Sequence, residues 1–305
     1  MTTGVIDLGS NTFHLLISEI SSETAWLPRI IFRKSYMTGL SKTGGLYIPE
    51  DSMEKAIMAI KDIKSHLNKF AAEKVQAIGT AVLRTASNNH VFIKQAEYLL
   101  ECPVRVISGL EEASYIAKGT CLHPSMTTGH HAVLDIGGGS TECIILENGN
   151  TRWMESTPLG VGILKHSFFN KDMLTLDDIH KAHAYFDQHL KIPVEYLFAG
   201  NFNSLAGASG TFETIEVLLS GRSEYNEKTC LVKLSDFHKL YRELVFSDSA
   251  FRLAYPRMPK ERAHLMPIGL VLIDYMLKLL NAKNIQVTKY ALKEGVASEL
   301  SEIYK

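Results

Sequence analysis

Two stretches of this chain could hold a phosphate. Each sets a carboxylate at the end of an apolar run and follows it at once with glycine and small polar residues. The first is DLGSNT, Asp7–Thr12, and the second is DIGGGST, Asp135–Thr141. Val5 and Ile6 precede the first, and Phe13, Leu15 and Ile17 alternate after it as a strand would. Each stretch therefore predicts a tight hairpin, a geometry that already asks for Gly and Asn. The repetition asks for more. A glycine-rich turn exposes successive backbone N–H groups that suit an anion such as phosphate. Gly9, Gly137, Gly138 and Gly139 allow close approach because no Cβ intervenes. Ser10, Asn11 and Thr12 in one turn, and Ser140 and Thr141 in the other, add side-chain donors. Asp7 and Asp135 sit where carboxylates could hold a magnesium ion through its waters.

Alternating strands and helices must position these turns. Residues 50–74 place Met53, Ile57, Ile60, Ile63, Leu67 and Phe70 on one helical stripe. A strand near 75–79, the loop GTAVLRTASN, a helix near 90–101, a strand over Val104–Ile107 and a helix from about Leu110 follow. LHPSMTTGHH (122–131) is polar, aperiodic and holds Pro and Gly, so it is expected as a linker, with His130 and His131 as linker polarity. The second half repeats the plan. Thr175 and Asp178 are spaced like a capping box, with Asp in place of Glu or Gln. Strand-like Leu205–Ala206, the loop GASGT and a helix over 212–219 come next. Helices over 236–246 and 265–280, a strand near 285–290 and a helix from Glu294 end the chain. This alternation predicts α/β layers. The expected domains are 1–124 and 125–291, with a helix over 292–305 packing back on the first and a cleft between the halves.

The ordered set of motifs resembles the exopolyphosphatase/guanosine pentaphosphate phosphohydrolase family, whose fold is the duplicated actin-like (ribonuclease H-like) α/β fold. The two turns resemble its phosphate loops. GTAVLRTASN resembles its T-x-x-x-R segment through Thr80 and Arg84, and ISGLEEASY resembles the segment carrying a catalytic Glu, which falls on Glu112. GASGTFET resembles a third glycine loop with Ser209, Gly210 and Thr211, and KERAHLMPIGLVLI and ALKEGVASEL resemble the C-terminal segments. The resemblance implies hydrolytic release of terminal phosphate from polyphosphate, or of the 5′ γ-phosphate from guanosine pentaphosphate, with Mg²⁺ or another divalent ion. Phosphoryl transfer to water needs a cradle, charge neutralisation and a group that orients or deprotonates the water. On that reading Glu112 is the base, Arg84 a clamp on phosphate oxygens, and Glu142 a magnesium ligand beside Asp7 and Asp135, or a second water-positioning group. Arg262, in the basic run RMPKERAH, is expected on a phosphate. Two departures stand out. Thr38 and Ser114 occupy positions where the family commonly has arginine, which removes positive charge near the turns.

Each assignment has a plainer counterpart. Glu111 and Glu112 could be solvated charges at a helix start, Arg84 a surface ion pair, and Ser209 or Thr211 a helix cap. His180, His183 and His189 could approach a metal, but their neighbours read as a wet helix face. GLSKTGG fails as a P-loop, because Gly does not directly precede its Lys. Cys102, Cys121, Cys143 and Cys230 are scattered without a CxxC pair, which predicts thiols in a reducing cytoplasm.

Composition narrows the remaining classes. With 46% hydrophobic and 21% charged residues, the chain reads as globular, and a net charge of −1 gives no global attraction to DNA or an anionic membrane. The most apolar stretch, 265–280, is short and carries Asp274 and Lys278, so it predicts a core helix. A homodimer is compatible with all of this. Two rival functions stay open: an ATP-dependent kinase or ATPase of the same fold, and an alarmone sensor that binds without cutting.

Overall fold

The computed structural model describes residues 1–20, 28–42, 44–169, 171–199, 202–222 and 231–303. The chain packs as two compact units. One comprises Met1–Leu122, Gly137–Gly139 and the C-terminal segment from Tyr290; the other comprises His123–Ile136 and Ser140–Lys289.

In the first unit β1 (Thr2–Leu8), β2 (Thr12–Glu19) and β3 (Arg29–Met37) form an antiparallel meander. After α1 (Glu50–Lys69), β4 (Lys74–Gly79) joins parallel to β1. Then α2 (Ala81–Thr85), α3 (Asn89–Leu100), β5 (Val104–Val106) and α4 (Gly109–Thr120) complete the run, giving the sheet order β3-β2-β1-β4-β5. The predicted stripe of α1 turns Ile60, Ile63 and Leu67 into the core with Phe13 and Phe92.

The second unit repeats the scheme. β6 (His130–Ile136), β7 (Thr141–Glu147) and β8 (Asn150–Thr157) form the meander. Three helices follow, α5 (Val161–Ser167), α6 (Leu176–His189) and α7 (Val194–Ala199), and then β9 (Ser204–Gly207) pairs parallel with β6. Beyond it come α8 (Gly210–Ser220), β10 (Leu231–Val232), α9 (Leu234–Leu244), α10 (Ser249–Ala254), α11 (Met266–Leu280) and β11 (Ile285–Val287). Read from the meander, the order β8-β7-β6-β9-β11 matches the first sheet, with β10 added at the edge. The expected capping box forms, since Thr175 Oγ1 accepts from the Asp178 N–H while Asp178 accepts from the Thr175 N–H.

The last helix, α12 (Leu292–Ile303), belongs to the first unit and lies against α4 at backbone distance. A Cβ on Gly119 would collide with the Ala291 carbonyl, and one on Gly295 with the Tyr115 carbonyl. Tyr115 Oη donates to Glu299 at 2.8 Å along the same seam.

Three sequence expectations change. Ala81–Thr85, read as loop, is helical, because Ala81, Val82 and Leu83 are buried and the turn bonds back to the Thr80 carbonyl. Residues 122–131, read as a linker, are ordered: Met126 is fully buried, and His130 and His131 begin β6. His131 is a buried strand residue bonded to Ser204 Oγ and the Thr128 carbonyl, not linker polarity. The strand near 285–290 ends at Val287. Cys102, Cys121 and Cys143 are thiols rather than disulfides, with burial pushing Cys143 up to about 12, while Cys230 lies outside the described residues. Among the described residues no helix is long and apolar enough to cross a membrane.

Candidate active site

Adjacent acids at the start of α4 have opposite fates. Ser108 caps the helix: its hydroxyl accepts from the Glu111 N–H at 3.2 Å, and Glu111 accepts from the Ser108 N–H at 2.8 Å. Glu111 also pairs with Arg105 at 2.6 Å, and the backbone bond from Ser108 leads in holding its carboxyl low. It is the solvated helix-start charge. Glu112, one residue on, turns inward and is 8% exposed. Arg84 Nη1 donates to Glu112 Oε2 at 2.7 Å and to the Ile107 carbonyl at 2.9 Å. Burial drives the Glu112 carboxyl upward, and the attraction of Arg84 only partly offsets that. The short helix α2 is what aims Arg84 here. A raised, buried carboxylate held in one orientation has the properties of a general base.

The first hairpin turn is wired into its own unit. Ser10 Oγ accepts from the Val82 N–H at 3.2 Å, so it tethers the start of α2. Asn11 Oδ1 accepts from Ser41 Oγ at 2.8 Å, and the Asn11 carbonyl accepts from the Thr38 and Gly39 N–H groups. Thr12 Oγ1 donates to Met37 Sδ at 3.1 Å. A Cβ on Gly9 would stand 2.6 Å from the Thr12 carbonyl, so the turn admits only glycine there. Thr38 is buried, and its hydroxyl donates to the Asn11 carbonyl at 3.4 Å, a contact that serves the fold. Asp7 stands on β1 opposite His14. Ser114 is exposed on α4.

In the second unit Asp135, Glu142 and Ser156 form a row across β6, β7 and β8. Asp135 is directly opposite Glu142, and Glu142 is opposite Ser156, so the three share one face of the sheet. Ser156 Oγ donates to Glu142 Oε1 at 2.7 Å. Two carboxylates on one face fit magnesium, which takes one or two and fills its remaining positions with water and phosphate oxygens. No cluster of three metal-ligating side chains occurs among the described residues. Thr141 Oγ1 donates to the Leu159 carbonyl at 2.9 Å and is fully buried, so its hydroxyl serves the fold, while Ser140 is buried at the turn and Gly137–Gly139 count with the first unit.

The third glycine loop is arranged differently. Ser209 occupies the N-cap position of α8, yet its side chain makes no capping bond, and its Oγ is buried without a hydrogen-bond partner among the described residues. Next to it the Arg262 guanidinium lies on Gly210, and a Cβ at Gly210 would stand 2.8 Å from Nη1 and overlap Nη2. Among the described residues no acceptor or carboxylate pairs with that guanidinium; Glu213 and Glu261 act on it only at longer range. An orphaned buried hydroxyl, a helix N-terminus and an unpaired arginine are together suited to an oxyanion. Thr211 does other work. Its Cγ2 packs on α11, where a Cβ at Gly269 would meet it at 2.6 Å.

His183 packs between Phe186 and Tyr275, and His189 against Tyr185, so these rings serve packing. Ser156 and the Ile107 carbonyl went unmarked in the sequence. The strand register would have exposed Ser156, but β8 carries no strong alternation to reveal it.

The Ppx/GppA phosphatase family matches residues 18–302. The guanosine-5'-triphosphate,3'-diphosphate pyrophosphatase of Vibrio cholerae is 31% identical over 299 residues, 97% of this chain and 58% of that protein. The Vibrio vulnificus protein of the same name is 30% identical over 298 residues, with the same coverage. The chain thus spans less than two thirds of the length of these curated relatives. An exopolyphosphatase from Cytophaga hutchinsonii superposes with a TM-score of 0.91 at 33% identity, covering 100% of this chain and 99% of that one. The Ppx/GppA family member of Aquifex aeolicus, at 23% identity and a TM-score of 0.80, shares the fold over 100% of this chain and 99% of its own. The repeated strand order and these likenesses make the fold the duplicated actin-like α/β fold, and the chain belongs to the Ppx/GppA phosphatase family.

Proposed function

We propose that the chain hydrolyses terminal phosphoanhydride bonds, releasing phosphate from inorganic polyphosphate or the 5′ γ-phosphate from guanosine pentaphosphate. The observation that carries this reading is the oxyanion seat of the third loop, where Ser209 Oγ is buried and unbonded beside Arg262 on Gly210. In a phosphatase-family chain, an unspent hydroxyl and guanidinium together favour a phosphoryl group. Glu112 acts as the base: water attacks the terminal phosphorus, the bridging P–O bond breaks, and the water proton passes to the Glu112 carboxylate. Arg84 fixes that carboxylate through Nη1, so it acts first on the base rather than as a free clamp on the phosphate. Ser10, Asn11, Thr12 and Thr141 shape their turns, and phosphate contacts at Gly9 and Gly137–Gly139 are left to backbone N–H groups.

Asp135 and Glu142, with Glu142 steadied by Ser156, would hold magnesium or another divalent ion, which supplies charge neutralisation of phosphoryl oxygens when bound. Asp7 holds the corresponding strand-end position of the first unit. The two units serve as the two domains. A cytoplasmic setting accords with the thiols of Cys102, Cys121 and Cys143.

A phosphate-release assay with long-chain polyphosphate and guanosine pentaphosphate in parallel, with Mg²⁺ and with chelator, tests the reading. Magnesium-dependent release from at least one substrate is expected. Tight binding of guanosine pentaphosphate without release would favour a sensor, and turnover confined to ATP with an acceptor would favour a kinase.

A further inference from the structure

The first unit carries an exposed trough that the phosphate chemistry does not use. Helices α1 and α3 each turn one face into the core, with Ile60 and Ile63 from α1 and Phe92 and Ala96 from α3. Their outer faces leave a groove between them. Its wide end, about 780 Å³, is lined by Tyr47, Met53, Met58 and Val91 among others, and a narrower stretch of about 360 Å³ continues it to Tyr98 and Leu99. Ile57, Lys61 and Gln95 line both. Met58 is 70% exposed and Tyr98 83% exposed. Apolar side chains of that size along one groove are unfavourable in water and mark a surface that associates.

The charges around the trough point to its occupant. At the wide end Glu50 and Glu54 of α1 stand with Asn88 and Val91 of α3, and at the narrow end Lys61 stands with Lys94 and Tyr98. The two helices therefore run in the same direction, with carboxylates at one end of the trough and ammonium groups at the other. All four charged side chains are exposed, and among the described residues none makes a hydrogen bond or ion pair. A face that is acidic at one end, basic at the other and apolar between is complementary to itself when turned end for end. A two-fold axis performs that turn. Glu54 precedes Ile57 by three positions, and Lys61 follows Met58 by three. Residues 54, 58 and 61 lie on one stripe, because steps of four and three keep to one helix face. With the axis between Ile57 and Met58, two α1 helices lie antiparallel, Met58 meets its counterpart, and each Glu54 faces Lys61 of the other copy. The same rotation brings Tyr98 of one copy over the wide end of the other, a large aromatic anchor over the larger hollow.

We propose that the trough between α1 and α3 is the interface of a two-fold homodimer, and that its occupant is a second copy of this chain. Each copy presents the same face, so the assembly closes at two. The interface is separate from the residues assigned to hydrolysis and does not rest on that reading.

Sedimentation velocity on the full chain, over roughly 1–100 μM, reads the association directly. A reversible monomer–dimer equilibrium that weakens as salt rises is expected. Met58→Glu sets two carboxylates at the axis and should weaken association by about a hundredfold or more. Glu54→Lys and Lys61→Glu should each weaken it by roughly tenfold, since the two-fold repeats every loss. Glu54→Lys combined with Lys61→Glu should regain most of the parent affinity, because the swapped charges again meet across the axis. Met58→Cys should form an intermolecular disulfide on mild oxidation that the parent chain does not form. These side chains are exposed, so every variant should keep the parent melting temperature at a dilution where the parent is monomeric. A dimer of unaltered affinity in Met58→Glu overturns the proposal, as does a double charge swap no tighter than either single change. A parent chain that stays monomeric at roughly 100 μM also overturns it and leaves the trough to a helix of another protein.

Discussion

Arg84 and Arg262 are both arginines set beside glycine turns, yet they are used in opposite ways. Arg84 is spent: one nitrogen bonds Glu112 and the Ile107 carbonyl. Its service is to orient a carboxylate and temper its protonation. Arg262 is unspent. It lies against Gly210, its burial working against its charge, beside a hydroxyl with no partner. A paired arginine is part of the fold, whereas a desolvated arginine with no carboxylate paired to it among the described residues has the chemistry to take an anion. The hairpin turn and the helix-cap turn divide in the same way, since Ser10 and Asn11 bond within the first unit while the Ser209 hydroxyl, among the described residues, bonds nothing.

The largest test of that contrast is Glu112→Gln. With the base removed and the shape kept, turnover should fall by about 10²–10⁴ while substrate binding survives, as rapid-mix and equilibrium binding would show. Wild-type turnover would remove Glu112 from the chemistry. Arg262→Met should come next, weakening phosphate binding by roughly tenfold to a hundredfold, the value of a charge-assisted bond. Gly210→Ala should copy that loss, because the new methyl occupies the place of the Arg262 guanidinium and displaces that far end of a long side chain.

Arg84→Met tests the paired arginine through pH. Burial already raises the Glu112 carboxyl from 4.5, and removing Arg84 lets it rise further. The acidic limb of kcat/KM should therefore move up, because an opposite charge that favoured the ionised form is gone. The linkage has a definite sign. A folded-state value above the unfolded one stabilises the protein fully below pH 4.5, and that contribution is lost as pH rises through the folded value. Glu112→Gln should flatten this part of the stability profile, measured as melting temperature against pH.

The smallest effect is expected for Ser209→Ala. Deleting a buried hydroxyl that bonds nothing should raise stability by about 1 kcal/mol while lowering phosphate affinity. A fall in stability instead would mean that the hydroxyl serves the fold.

Much of this was legible before any coordinates. The hairpins at Asp7–Thr12 and Asp135–Thr141 follow from alternation and glycine, and the capping box of α6 from Thr175 and Asp178. The polar edge strands were not. Arg29, Arg33 and Lys34 interrupt the apolar alternation of β3, which pairs through backbone to β2 regardless. GTAVLRTASN looked like a loop because five residues are too few to show a helical period, and its helicity comes from burying Ala81–Leu83. His130 and His131 read as linker because polarity in sequence cannot show that Ser204 and the Thr128 carbonyl stand ready for His131.

The sequence by itself determined the duplicated α/β plan, the two glycine turns and the residue types available for phosphate, because periodicity and glycine placement are local properties. Only tertiary structure decided which polar groups were spent and which were left over. Glu111 and Glu112 are neighbours of one kind, and Ser10 and Ser209 are serines at comparable turns. Their roles part because hydrogen-bond satisfaction and burial depend on partners far away in the chain. Val82 reaches Ser10, Arg84 reaches Glu112, and no such partner reaches Ser209.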